Sequence, residues 1–167
     1  MKKIIRVSLV IALCLWMLLI FSLSAETATE SADKSGGFSY KIAAFFVPGF
    51  EEMPVMEQQE IIEKMSFPIR KGAHFCIFAV LSLLAFFNIA FFDKLSNFLK
   101  YSLSFAFCAL YAASDEFHQN FVVGRSCEFR DWLIDCGGVL AGLLLCFVLI
   151  KIFSKKVRGY SKCEKKN

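Results

Sequence analysis

Asp115-Glu116-Phe117-His118-Gln119 sets two carboxylates, an imidazole and an amide within five residues, directly after the apolar run from Leu103 to Ala113. Groups of this kind move protons: a carboxylate orients an imidazole, and the imidazole acts as general acid or base. The second histidine, His74, lies one helical turn after Arg70 and Lys71, and Asp131 and Asp135 repeat that spacing shortly after Arg125. Arginine and lysine grip phosphate, and arginine does so through two parallel hydrogen bonds. The candidate catalytic residues are therefore His74, Asp115, Glu116, His118 and Asp131. The candidate substrate-binding residues are Arg70, Lys71, Gln119, Arg125 and Asp135.

These polar groups sit in an unusual chain. It is 57% hydrophobic with 20 phenylalanines among 167 residues, and its mean hydropathy of +0.56 reads as a membrane protein of one domain. Seven cysteines are scattered without CxxC or CxxH spacing. Neither a metal centre nor a disulfide framework is expected, and no cofactor is implied. No basic-aromatic pattern points to nucleic acid.

The elements that position the polar groups follow from the apolar runs. Residues 1–24 read as a first transmembrane helix rather than a cleaved signal peptide. The apolar stretch exceeds the ~7–15 residues of a usual signal core, and Leu23 fits poorly before a cut after Ala25. Residues 25–71 read as a polar extracytoplasmic connection. Within it, Ala25–Gly37 is flexible, Phe38–Phe50 lies in the interface, and a short amphipathic helix from Pro54 is stopped by Phe67-Pro68. Residues 72–153 hold three further spans, over Gly72–Phe92, from Leu99 to about His118, and over Trp132–Ile150. Residues 154–167 form a basic tail.

The fold class is thus an all-α integral membrane protein, a bundle of four transmembrane helices in the cell membrane. Orientation follows the distribution of charge. The N-terminus (Lys2, Lys3, Arg6), the 93–100 loop (Lys94, Lys100) and the tail (Lys151, Lys155, Lys156, Arg158, Lys162, Lys165, Lys166) carry 12 of the 19 basic residues. They carry only Asp93 and Glu164 of the 15 acids. Both termini are therefore expected in the cytoplasm, and the ends bearing Arg70 to His74, Asp115 to Gln119 and Arg125 to Asp135 outside. Helical spacing puts Tyr111, Asp115 and His118 on one face, and Asp131 and Asp135 above Gly138 and Gly142. Such glycines allow close helix–helix approach and offer a route to self-association.

The pieces Arg70-Lys71-x-x-His74, Asp115-Glu116-x-His118-Gln119, and Gly124-Arg125 followed by Asp131, Asp135, Gly138 and Gly142 resemble the VanZ-like family. These are small bacterial membrane proteins named for a teicoplanin-resistance protein. The resemblance covers residues 70–142, and it departs at Ile77-Phe78, where the family often has an acidic residue and then Tyr. That departure removes polar partners for His74. The resemblance implies a role in glycopeptide tolerance at the cell envelope and brings no settled chemistry with it.

Three functions fit the residues. The first is binding of an anionic envelope lipid or lipid-linked precursor by Arg70, Lys71 and Arg125. The second is an enzyme on a phospholipid headgroup, with His118 or His74 as base and Asp115 or Asp131 orienting it. The third is a structural or regulatory bundle in which Asp115 and His118 only pair and Glu128 is a solvated surface charge.

Overall fold

The computed structural model describes residues 1–164, with side chains except at Lys2 and from Phe153 onward. The side chains of the expected basic tail, 154–167, lie outside the described residues. Among the described residues the chain is all helical, with no strand.

α1 (Lys2–Ser24) is 23 residues without glycine or proline, and nearly all are apolar after Arg6. Nothing in it interrupts the backbone hydrogen bonds. α2 (Ala28–Phe46) opens on a reciprocal cap. The Glu30 backbone N–H donates to Thr27 Oγ1 at 3.3 Å, and the Thr27 N–H donates to Glu30 Oε2 at 2.9 Å. The bond from the Thr27 backbone also holds the Glu30 carboxyl below its ordinary pKa. Val47-Pro48-Gly49 ends α2, with Gly49 at φ +71°, where a side chain would be strained. A single 3₁₀ turn, Phe50–Glu52, leads to α3 (Val55–Ala90). α4 (Asn97–Gln119) is capped by Ser96, whose hydroxyl accepts the Leu99 N–H at 3.2 Å, and α5 is Phe129–Glu164.

Two expectations for the 25–71 connection need correction. Residues 28–46 are helical, not flexible, because the Thr27–Glu30 cap starts a helix whose inner face packs on α3. Ser35 and Ser39 are buried there, and the Ser39 and Ser66 hydroxyls meet at 3.1 Å. Nor does Pro68 stop the following helix: α3 runs through it for 36 residues. A proline inside a helix removes one backbone bond. Here the turns on either side are held from outside, by α2 at Ser66 and by α5 at Lys71. The second apolar segment is thus the C-terminal part of a helix about 54 Å long.

α3 is the centre of the molecule and packs against α1, α2, α4 and α5. The core is Ile20, Phe78, Leu81, Ala85, Phe86, Cys108, Ala112, Val139, Leu143 and Cys146. Water cannot pair with polar groups in a bilayer, so side chains bond across helices instead. Trp16 Nε1 donates to the Ile77 carbonyl at 3.0 Å, Trp132 Nε1 to Ala109 at 3.0 Å, and the Tyr111 hydroxyl to Met17 at 2.7 Å. The close approach offered by Gly138 and Gly142 is made within the chain. A β-carbon at Gly138 would lie 2.2 Å from the Phe75 carbonyl oxygen, and one at Gly142 would lie 2.3 Å from that of Ala79. α5 therefore lies almost backbone to backbone on α3.

Among the described residues, three helices are long and apolar enough to cross a membrane: α1 over Lys3–Ser24, α3 over Val55–Ala90, and α5 over Phe129–Ile152. α4 has the length, at 23 residues, but ends in Asp115, Glu116 and His118.

Candidate functional site

The C-terminal ends of α1 and α4, the middle of α3 and the start of α5 meet at one end of the bundle. A polar cavity of about 120 Å³ lies there between α3, α4, the start of α5 and the loop before it, with Ala28 of α2 at its edge. Eight of the ten residues singled out by sequence line it: Arg70, Lys71, His74, Glu116, Gln119, Arg125, Asp131 and Asp135. Helical spacing explains the convergence. Arg70, Lys71 and His74 share the α3 face toward α5, and Asp131 and Asp135 stand one turn apart above the glycines that hold α5 there.

The two remaining residues turn toward α1. Asp115 is 3% exposed and accepts hydrogen bonds from the Ser24 hydroxyl at 2.7 Å and the Gln119 amide at 3.1 Å. His118 stacks on Phe21 with ring centroids 4.5 Å apart, and its Nε2 is buried without a partner. It forms no ion pair with Asp115 among the described residues. Of the two imidazoles, only His74 faces the cavity.

Most polar groups in the cavity are spoken for. Lys71 Nζ and Asp131 Oδ2 form an ion pair, with side chains 20% and 15% exposed. Glu116 accepts the Glu128 backbone N–H at 3.2 Å and the Gln119 amide at 3.4 Å. It thereby anchors the loop between α4 and α5. Glu128, which reads in the sequence as a solvated charge, also lines the cavity, and its carboxylate accepts the Ser126 hydroxyl at 3.0 Å. Removing one member of a buried pair strands the other. Lys71→Met is expected to cost about 2 kcal/mol of stability, whereas Lys71→Met with Asp131→Leu should recover most of it. Thermal unfolding of the purified variants as a double-mutant cycle measures this.

Arg70 and Arg125 differ from Lys71. Arg125 donates to neutral oxygens, Gln119 Oε1 at 3.1 Å and the Leu23 carbonyl at 3.3 Å. Arg70 forms no hydrogen bond or ion pair among the described residues. Burial, and next the positive charge of Arg70, draw the Arg125 guanidinium below its ordinary pKa, against the pull of Glu26, Asp115 and Glu116. Arginine stays charged in proteins, so the two guanidiniums are cations with no ion-paired carboxylate among the described residues.

Both arginines and His74 also line a second, apolar cavity of about 250 Å³ between α1, α2 and α3. Leu23, Phe38, Ile69 and Ile77 form its walls, and Lys34 pairs with Glu26 at its rim at 2.5 Å. The sequence reading missed this groove because it placed no helix at α2. It also missed Ser24, whose only signal was a small residue at the end of an apolar run.

Helices long enough to span a bilayer, with a charged cavity sunk into one end of the bundle, define a helical membrane protein with a polar site at its end. The family model described as VanZ/LLP1 matches residues 9–151, and the chain belongs to that family. No curated protein and no solved structure matches it.

Proposed function

We propose that this protein binds an anionic, phosphate-bearing envelope lipid or lipid-linked precursor at the outer face of the cell membrane, and so contributes to tolerance of teicoplanin-type glycopeptides. The observation that carries this reading is the position of Arg70 and Arg125. They are two cations without an ion-paired carboxylate among the described residues, standing where an apolar groove meets a polar cavity. An amphiphile fits that order, with its chain along Leu23, Phe38, Ile69 and Ile77 and its phosphate between the guanidiniums. The glycopeptide role rests on the kinship with a teicoplanin-resistance protein.

In this reading α4 is a fourth span, about 35 Å long at 1.5 Å per residue, and it sinks its acidic end just below the surface. Both termini face the cytoplasm, as the excess of Lys and Arg on that side favours. Residues 25–71 and the α4–α5 loop lie outside, residues 72–153 form the core of the bundle, and 154–167 form a cytoplasmic tail. Cys127, exposed in the α4–α5 loop, reports on this directly. In a variant that keeps Cys127 as its sole cysteine, a membrane-impermeant maleimide should label intact cells. Labelling only after lysis would invert the topology and remove the outer-face site.

Binding is tested by native mass spectrometry of the purified protein with phosphatidylglycerol and phosphatidylcholine. Retention of phosphatidylglycerol at least about tenfold better supports the reading. Equal retention of both contradicts it.

A further inference from the structure

We infer that the ligand's headgroup carries a hydrogen-bond donor, a hydroxyl or an ammonium, beside its phosphate, and that Asp135 accepts it with His74 as the second partner. The inference rests on the lipid-binding reading and specifies its headgroup.

Asp135 is 1% exposed, and neither of its carboxyl oxygens has a hydrogen-bond partner among the described residues. An unpaired buried carboxylate is among the costliest groups a fold can hold. The other acids lining the cavity are satisfied: Asp131 by Lys71, Glu116 by the Glu128 backbone and Gln119, and Glu128 by Ser126. The nearest basic atom to Asp135 is His74 Nδ1, at 3.8 Å from Oδ1. That gap is too long for a hydrogen bond, yet one oxygen or nitrogen atom of a ligand can reach both groups. Ile77 and Phe78, which follow His74 on α3, are apolar, and Phe78 is fully buried in the core. Asp135 and His74 are therefore left to each other and to whatever enters.

The two cavities place this pair in order. Arg70, His74 and Arg125 line both the apolar groove and the polar cavity, whereas Asp135 lines only the polar one. A chain in the groove and a phosphate at the guanidiniums put the next atoms of the headgroup against Asp135. The unpaired Asp135 oxygens can accept an O–H or N–H. A headgroup that ends at its phosphate leaves Asp135 unpaired.

The test uses the purified full-length chain and four lipids, read by native mass spectrometry. Phosphatidylglycerol and phosphatidylmethanol are both anionic, and only the first has a headgroup donor. Phosphatidylethanolamine and phosphatidylcholine are both zwitterionic, and again only the first has one. The donor should improve binding about tenfold within each charge class, and the class with the larger gain tells hydroxyl from ammonium. In Asp135→Leu, close in size but with no acceptor, the gain should vanish while phosphatidylmethanol still binds. Asp135→Asn keeps one acceptor oxygen and should retain part of the gain, which serves if the leucine variant fails to fold. No donor preference in the wild type, or one that stays at full size in either variant, overturns the inference. Phosphatidylmethanol against phosphatidylcholine tests the anionic reading separately. Equal binding of all four lipids sinks that reading and this inference together.

Discussion

Gly142→Ala is expected to lower the yield of folded protein sharply, as is Gly138→Ala, whose β-carbon would lie 2.2 Å from the Phe75 carbonyl oxygen. A β-carbon at Gly142 would lie 2.2 Å from Ser82 Oγ and 2.3 Å from the Ala79 carbonyl oxygen. The serine hydroxyl can rotate away. The carbonyl belongs to the α3 backbone and can yield only if α5 lifts off. Overpacking against a rigid neighbour costs about 3 kcal/mol or more, against a typical total stability of ~5–15 kcal/mol. The loss extends beyond stability, because this contact sets Asp131 opposite Lys71 and Asp135 opposite His74. Gly137 is the control: its added β-carbon would meet only the Phe75 ring, at 3.4 Å. The monodisperse fraction on size exclusion after mild solubilisation should fall sharply for Gly142→Ala and stay near wild type for Gly137→Ala. Equal yields would mean that α3 and α5 are not packed this closely.

Arg125→Ala is expected to weaken phosphatidylglycerol binding by about 30-fold. A guanidinium bonded to phosphate in a partly desolvated site contributes more than a neutral hydrogen bond. Arg125 has no carboxylate that would otherwise claim it. Arg125→Lys should fall between the two, since the charge survives and the two-pronged geometry does not. Removing Arg125 breaks no ion pair, but it leaves the buried Gln119 amide oxygen unpaired and takes a cation from near Asp115 and Glu116, so the unfolding temperature should fall modestly, which a thermal melt reads separately from binding. Binding and glycopeptide tolerance should fall together. Loss of tolerance with binding intact would assign the arginine to something other than a lipid.

The convergence of Arg70 to His74, Glu116 and Gln119, and Arg125 to Asp135 was legible because charges are rare in apolar helices. Each group stands where an apolar run of the sequence ends, and charge asymmetry groups those ends together. That α5 carries a close-packing face was legible for a similar reason, since glycines four apart below two aspartates have few other uses in a helix, but that α3 is the helix it meets was not. The orientation of His118 was not. It shares a face with Asp115, but nothing in the sequence of α1 announces that this face meets Phe21 and Ser24 rather than the cavity. The helix over 28–46 was also hidden, because its serines and glycines look like a linker. Only the Thr27–Glu30 cap spoke for it. With that helix missed, the apolar groove against it had no wall and went unseen. Pro68 misled in the same way: local backbone chemistry favours a stop, and packing on both sides carries α3 through.

The central claim is that a lipid phosphate sits between Arg70 and Arg125, with its chain in the groove walled by α2. A crystal structure grown in a lipidic mesophase doped with phosphatidylglycerol tests it most directly. The account predicts density for a phosphate in contact with both guanidiniums, continuous with an acyl chain along Phe38, Ile69 and Ile77. A cavity filled by water alone, with lipid ordered only on the outer surface of the bundle, would contradict it.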